Sequence, residues 1–305
     1  MENLVRYAWL SVAAALATIG LKSLAYFLTG SVGLLSDALE SGVNLLGALM
    51  TWAMLTVAAR PPDEDHPYGH SKAEYFSSGF EGTLILLAAI SIAVTAVPRL
   101  LAPVALEQTG IGLAVSAGAT IINLGVALIL LRAARHHHSI SLDADAHHLL
   151  TDVWTSVGVI IGVALVTWTG WLWLDPVIAL IVAGQILWTG YRLVQRSVSG
   201  LMDTALHTAE HDAVVQVLEK YRSEGLQYHA LRTRRAAARR FVSVHILVPG
   251  AWTVSHGHDQ VERIEEAIRA VLPNATVFTH LEPLEEASSF ADVDLDRREQ
   301  PTAMP

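Results

Sequence analysis

Long apolar stretches dominate the first two thirds of the chain, and charged residues become frequent only after about residue 202. A helix needs about 20 mainly apolar residues to cross the hydrocarbon core of a bilayer. Six stretches are long enough: residues 7–29, 33–58, 79–101, 110–133, 146–169 and 174–199. The pattern predicts an all-α transmembrane bundle of six helices over residues 1–202.

The last third of the chain has the pattern of a small soluble domain. Residues 204–222 and 254–271 repeat apolar residues at helical spacing, whereas YHALRTRRA, RRFVSVHILVP and residues 275–280 are typical of strands. The order αββαβ predicts a small α+β domain over residues 203–286. Residues 287–305 are acidic, poor in apolar side chains and end in proline, so we expect a disordered tail.

Composition removes several classes of protein. The 305 residues include no cysteine, which excludes disulfides, thiolate zinc sites and cysteine nucleophiles. A net charge of −9 argues against a nucleic-acid partner. The low share of charged residues, 16%, agrees with a membrane protein.

The basic residues near the predicted spans indicate the orientation. Arg6, Arg60, Lys72 and Arg132 lie before the first span and in the second and fourth loops, whereas the first and fifth loops contain no basic residue. Because short cytoplasmic loops are enriched in Lys and Arg, both termini should be cytoplasmic in a multi-pass protein of the cytoplasmic (inner) membrane. The first stretch lacks a small-residue cleavage site, so we interpret it as a retained helix.

Two of the six stretches stand out for clusters of polar side chains, and ionisable groups at membrane depth are costly and usually line a pathway. The clusters are Asp37, Glu40 and Asn44 in the second stretch, and Asp145, His147, His148 and Asp152 in the fifth. Residues four apart project from one helical face, and each first aspartate stands on the same face. The segments DALESGVN and DAHHLLTD also resemble each other, as internal repeats around a transporter site do.

If the two helices pack together, they offer three oxygen donors and one imidazole. Glu40, Asn44, His148 and Asp152 would suit a borderline divalent ion such as zinc, iron(II), manganese or cobalt. Because only a neutral imidazole coordinates metal, the same residues predict exchange of protons for the ion. The alternative is that these polar groups only hydrogen-bond the helices together.

A second candidate site lies in the loop PPDEDHPYGHSKAEYFSS, residues 61–78. Asp63, His66 and His70 have metal-ligand spacing, and Pro67 and Gly69 indicate a turn. From spacing alone, a metal site and a solvated loop are equally acceptable. The same holds for the histidine tract at residues 136–138.

The loop motif HPYGHSKAE, the polar pattern of the second and fifth stretches, and six spans followed by a soluble domain resemble the cation diffusion facilitator family. The resemblance covers about residues 5–285. It implies that the quartet is the transport site and that Asp63, His66 and His70 form a loop site. Many members have Asp, or His and Asp, on the second helix; Glu40 with Asn44 looks more like the iron/zinc-type bacterial branch.

The resemblance also implies a homodimer whose cytoplasmic domain is ferredoxin-like or metallochaperone-like. Lys72 and Asp203 match the charge interlock of the family's dimer interface. The family's cytoplasmic metal positions fall here on His229, His245, His280 and Glu282, and Ser255 stands where the family has a further histidine. Asp37 and Asp145 would flank the transport site.

The leading functional prediction is secondary-active efflux of a divalent transition metal from the cytoplasm, coupled to proton import by alternating access. Zinc, iron(II), manganese, cobalt and cadmium stay open as substrates, with the metal also a possible regulator and no organic cofactor expected. A metal sensor without transport and, less favoured, a membrane metalloenzyme are the alternatives. The chain has no P-loop and no His-Glu-x-x-His motif, which argues against an ATP-driven pump and against a zincin protease.

Overall fold

The computed structural model describes residues 2–29, 32–102, 110–223, 225–291 and 293–294. Within some helices it describes the backbone but not every side chain, and residues 32–40 are such a segment. The chain divides into two compact units, Met1–Leu201 and Met202–Pro305. Each unit is described by itself.

The first unit consists of long helices that contain all six predicted spans. They are α1 (Glu2–Thr29), α2 (Val32–Ala58), α3 (Ala73–Leu101), α4 (Gly110–His137), α5 (Ile140–Thr169) and α6 (Leu174–Leu201). Among the described residues, five of them, α1 to α4 and α6, are long and apolar enough to cross a membrane. The helices α2 and α5, which carry the predicted ion ligands, pack against each other. The predicted helical membrane region is therefore confirmed.

The helix α3 begins six residues before the predicted apolar stretch because its first turns bury polar side chains inside the bundle. Glu74, Ser77 and Ser78 are all buried. Small residues allow α3 and α6 to approach closely: a Cβ built on Gly82 would lie 2.9 Å from Cγ2 of Val194. Such close helix approach at small residues is typical of membrane bundles.

Glu74 joins the first turn of α3 to the first turn of α5. This buried carboxylate accepts hydrogen bonds from the Ser139 hydroxyl and, at 3.4 Å, from the Ser141 backbone N–H. The Ser141 hydroxyl in turn donates to the Glu74 carbonyl oxygen at 3.1 Å. A carboxylate at a helix N-terminus satisfies unpaired N–H groups and suits the helix dipole. The two helices are thus fixed to each other at one end.

The second unit is the predicted αββαβ domain. It consists of α7 (Thr208–Ser223), β1 (Gln227–Ala236), β2 (Arg239–Val248), α8 (Val254–Val271) and β3 (Ala275–Pro283). The sheet order is β1-β2-β3, with β1 antiparallel and β3 parallel to β2. Alternate residues of β2 enter the core with one face of each helix: Val242, Val244, Ile246, Val248, Val214, Leu218, Ile264 and Ile268. The predicted α+β fold is confirmed.

The prediction of a disordered tail from residue 287 is wrong for its first residues. Ala287–Phe290 form a short 3₁₀ helix. The Ser289 hydroxyl donates to the Pro283 carbonyl oxygen at 2.8 Å, and the Phe290 ring packs on His229 with 5.9 Å between centroids. These contacts hold the segment against the sheet, at the end of β3 and on His229 of β1. Residues 295–305 lie outside the described part of the chain.

Candidate metal-binding sites

Three of the four predicted transport-site residues meet between α2 and α5. The Asn44 Oδ1 lies 2.8 Å from Nε2 of His148, and its Nδ2 donates a hydrogen bond to Oδ2 of Asp152. Asn44 and His148 are buried, and Asp152 is half-buried. Because His148 and Asp152 are one turn apart on α5, a single amide on α2 reaches both. The three side chains share one small region inside the membrane unit.

The flanking residues have different positions. Glu40 and Asp37 lie in α2, and their side chains lie outside the described residues. Asp145 is buried and its Oδ1 accepts a hydrogen bond from the Ser11 hydroxyl of α1 at 3.0 Å. Asp145 therefore joins α5 to α1, one turn away from the contacts of Asn44.

Two residues that the sequence analysis did not select also reach this region. Nδ2 of Asn123, on α4, donates to Oδ2 of Asp152 at 3.2 Å. Glu81, on α3, places its Oε2 3.1 Å from Nδ1 of His148. A signal for both was present, since each is a polar residue within a predicted apolar span, where polar residues usually have a function.

The loop residues Asp63, His66 and His70 form a compact cluster before α3, and one ligand atom from each lies within 4.8 Å of the others. Oδ1 of Asp63 lies 3.0 Å from Nδ1 of His66, and Oδ2 lies 3.2 Å from Nε2 of His70. Gly69 makes the return turn possible with a φ of 81°. Slight desolvation would raise the pKa of Asp63, but hydrogen bonds from His66 and the nearby imidazoles hold that pKa below its ordinary value. A lowered pKa keeps the carboxylate ionised for a cation.

The sheet of the second unit aligns the predicted cytoplasmic ligands at one level. His229 of β1 is opposite His245 of β2, and His245 is opposite His280 of β3. Oε2 of the buried Glu282 lies 2.8 Å from Nε2 of His229 and 3.4 Å from Nδ1 of His245. His229, His245 and Glu282 offer ligand atoms within 4.8 Å of one another. His280 is more exposed, and its Nε2 lies 3.5 Å from Oε1 of Glu282.

Each residue of the predicted charge interlock contacts a group of its own unit. Nζ of Lys72 donates to the Leu201 carbonyl oxygen at 3.2 Å. Oδ1 of Asp203 accepts from Arg234 at 3.1 Å. The interlock itself stays a prediction.

Comparison with known proteins identifies the family. Residues 8–202 match the profile of the cation efflux transmembrane domain, and residues 206–284 match that of the cation efflux protein cytoplasmic domain. This chain belongs to the cation diffusion facilitator family. Cation diffusion facilitators are multi-pass membrane transporters with a cytoplasmic domain, not enzymes, and their substrates are divalent metal ions.

Similar proteins match this chain over both units. An uncharacterized transporter of Synechocystis sp. is 52% identical over 288 residues, which cover 94% of this chain and 93% of that protein. The cation-efflux pump FieF of Serratia proteamaculans is 30% identical over 286 residues, covering 91% and 94%. The cation-efflux pump FieF of Pectobacterium atrosepticum is 28% identical over 275 residues, covering 90% and 91%.

Proposed function

We propose that this cation diffusion facilitator exports a divalent transition metal ion from the cytoplasm in exchange for protons. The proposed ion site consists of Glu40, Asn44, His148 and Asp152. The observation that supports it is the direct contact of Asn44 with both His148 and Asp152 between two helices of the membrane unit. The names of two relatives, both cation-efflux pumps, support the direction of transport.

The donor set favours borderline ions. Carboxylate and amide oxygens with one imidazole suit zinc, iron(II), manganese or cobalt, and cadmium stays a further candidate. Calcium prefers shells made of oxygen alone. A site that includes His148 should therefore discriminate against calcium.

The contact of His148 with Asn44 suggests how protons enter the exchange. Nε2 of His148 faces the Asn44 Oδ1 at 2.8 Å, so a proton on Nε2 completes that hydrogen bond. A metal ion must take the same lone pair, because only an unprotonated nitrogen coordinates. If Nδ1 carries a proton as well, ion binding at Nε2 releases the Nε2 proton, leaves a neutral ring protonated on Nδ1 and breaks the contact with Asn44, and a returning proton ejects the ion.

The remaining parts of the proposal concern assembly. We expect a multi-pass protein of the cytoplasmic (inner) membrane with both termini in the cytoplasm. We also expect a homodimer that uses Lys72 and Asp203 at its interface. The loop cluster of Asp63, His66 and His70 would bind metal on the cytoplasmic side of the spans. The cluster of His229, His245 and Glu282 would bind regulatory metal.

Uptake into proteoliposomes tests this function. We expect Zn²⁺ flux that increases with an imposed pH gradient, and Ca²⁺ flux near background. Asp152→Asn should abolish the flux, whereas Asp212→Asn, on an exposed aspartate of α7, should leave it intact. Zn²⁺ flux that ignores the pH gradient would refute proton exchange, and equal flux of calcium and zinc would refute a site containing imidazole.

A metal sensor without transport is the second candidate, favoured by the compact cluster of His229, His245 and Glu282. For a sensor, the wild-type protein would show no flux, and Asp152→Asn would leave its response to metal unchanged. For a transporter, the same variant loses flux while the metal-dependent spectrum of the cytoplasmic unit is retained.

A further inference from the structure

Glu81 is a buried carboxylate in the membrane unit whose partner is a predicted ion ligand. Its side chain is 0% exposed, and its Oε2 lies 3.1 Å from Nδ1 of His148. Burial of a carboxylate costs several kcal/mol unless it is paired. His148 is the basic group that Glu81 faces at ion-pair distance, so this pairing offsets part of the cost of burying Glu81.

The surroundings of Glu81 fix the position of its carboxylate. The Thr51 hydroxyl donates a hydrogen bond to Oε1 of Glu81 at 3.3 Å, and it lies 3.0 Å from the Ser77 hydroxyl. The opposite wall is the backbone of α2 at Gly47, where an added Cβ would lie 2.7 Å from Oε1 and 2.8 Å from Oε2. Since a Cβ essentially never approaches an oxygen so closely, the carboxylate occupies space that exists because residue 47 is glycine.

We propose that Glu81 is a positioning residue for ion transport: it holds Nδ1 of His148 so that Nε2 faces the ion. This inference rests on the proposed transport site. Histidines that bind metal usually donate their second ring N–H to a carboxylate or a carbonyl, which fixes the tautomer and the ring orientation. Here α3 places a carboxylate oxygen at ion-pair distance, 3.1 Å, from Nδ1 of a ligand on α5, although the pair does not have hydrogen-bond geometry. In this proposal a third helix contributes to the geometry of the site.

The geometry separates this role from direct ligation by Glu81. Nδ1 and Nε2 point away from opposite edges of the imidazole ring, and Asn44 lies on the Nε2 side. Glu81 lies on the Nδ1 side. An ion held by Nε2, Asn44 and Asp152 would therefore have the His148 ring between itself and Glu81.

Equilibrium binding of Zn²⁺ to the full-length protein in lipid nanodiscs tests the role. The protein offers several classes of Zn²⁺ site, and the relevant class is the one whose binding Asp152→Asn removes. This separates the membrane site from the loop and cytoplasmic clusters. Glu81→Gln keeps the size of the side chain but removes its charge, and we expect a 10- to 100-fold weaker affinity of that class, as for other carboxylates behind a metal-bound histidine. An unchanged affinity would overturn the proposal.

A double-mutant cycle distinguishes positioning from a general structural effect. If Glu81 acts through His148, Glu81→Gln should add less than threefold to the loss caused by His148→Ala alone. Independent losses that multiply would overturn the proposal, because contacting residues that act together are not additive. The ¹⁵N spectrum of the His148 ring should also show a protonated Nδ1 with Zn²⁺ bound in wild type, and a tautomer mixture in Glu81→Gln.

A pair of glycine variants repeats the test without changing either partner. Gly47→Ala forces the Glu81 carboxylate to move, whereas an added Cβ at Gly42, on the same helix, meets nothing within 4 Å. We expect weaker Zn²⁺ binding in Gly47→Ala and wild-type binding in Gly42→Ala. Zn²⁺ uptake is measured in parallel. If the wild type takes up no Zn²⁺, the transport function is refuted. If the wild type takes up Zn²⁺ and Glu81→Gln binds it with wild-type affinity, only the role of Glu81 is refuted.

Discussion

The amide of Asn44 is the neutral member of the proposed ion site, and Asn44→Asp makes it a fourth ionisable one. Nδ2 of Asn44 donates to Oδ2 of Asp152. The substitution replaces that donor with an oxygen, so two carboxylates then face each other with no proton between them. We expect the variant to take up one proton at neutral pH and to release it when the ion binds.

The expected size follows from the contact. Two unit charges about 4 Å apart repel by about 4 kcal/mol at an effective dielectric constant of about 20. At about 1.4 kcal/mol per tenfold change, this corresponds to roughly three decades of proton affinity, so a carboxyl that ordinarily titrates near pH 4 would share a proton with its neighbour up to about pH 7. A doubly charged ion between the carboxylates removes the repulsion. Zn²⁺ should therefore bind at least tenfold more tightly to Asn44→Asp than to the wild type above about pH 8. Near neutral pH, the logarithm of the variant's affinity should rise by about one unit more per pH unit than that of the wild type.

Calorimetric titration with Zn²⁺ in buffers of different ionisation enthalpy measures both the affinity and the number of protons released. Asn123→Asp is the matched control, because Nδ2 of Asn123 also donates to Oδ2 of Asp152, at 3.2 Å, but from α4. It introduces the same charge beside the same oxygen without placing one next to Nε2 of His148. Equal gains in both variants, or an unchanged proton count in Asn44→Asp, would refute the placement of Asn44 in the shell of the ion.

Two further predictions concern the cytoplasmic unit. Partial burial would raise the pKa of Glu210, but hydrogen bonds from the buried Arg240 outweigh it and hold that pKa below its ordinary value of 4.5. Because the folded pKa is lowered, the pair stabilises the protein above about pH 4.5 and loses this effect as the pH falls through the folded pKa. Thermal unfolding should show Glu210→Gln about 1–3 kcal/mol less stable than wild type at pH 7, with a difference that shrinks as the pH falls below 4.5. Zn²⁺ at a thousandfold excess over its Kd should raise the free energy of unfolding of the cytoplasmic unit by about 4 kcal/mol, which is seen as a higher melting temperature. Glu282→Gln should remove this increase. His256→Ala is the control and should keep it, because the His256 ring packs on Trp252.

The sequence predicted the elements well where their polar and apolar positions reflect exposure. The helix α8 has the predicted bounds, since Thr253 caps its first turn and its apolar residues face the sheet. The prediction for α3 began too late because hydropathy treats a polar residue as exposed. Glu74 and Ser77 are instead buried among other helices, where polar groups find partners that a sequence window does not contain.

The candidate site was predictable as far as one helix defines its own face. Spacing placed His148 and Asp152 on one side of α5, and the similar segment in α2 brought Asn44 to them. Glu81 and Asn123 come from α3 and α4, and their part depends on how four helices pack, which no local pattern specifies. For the same reason the sequence left open whether Asp145 faces the ion, whereas in the structure it accepts a hydrogen bond from Ser11.

The buried bond network of Glu74 has a consequence for the transport cycle. Alternating access requires helices to shift, but separating α3 from the start of α5 would leave the Glu74 carboxylate and the hydroxyls of Ser139 and Ser141 unsatisfied in a dry interior, at about 1–3 kcal/mol for each group. The histidine-bearing turn just before α3 and the helix that holds His148 are therefore coupled mechanically. We expect this turn and α5 to move together as one rigid body. A cation bound by Asp63, His66 and His70 would then shift the equilibrium between the inward-facing and outward-facing states of the central site.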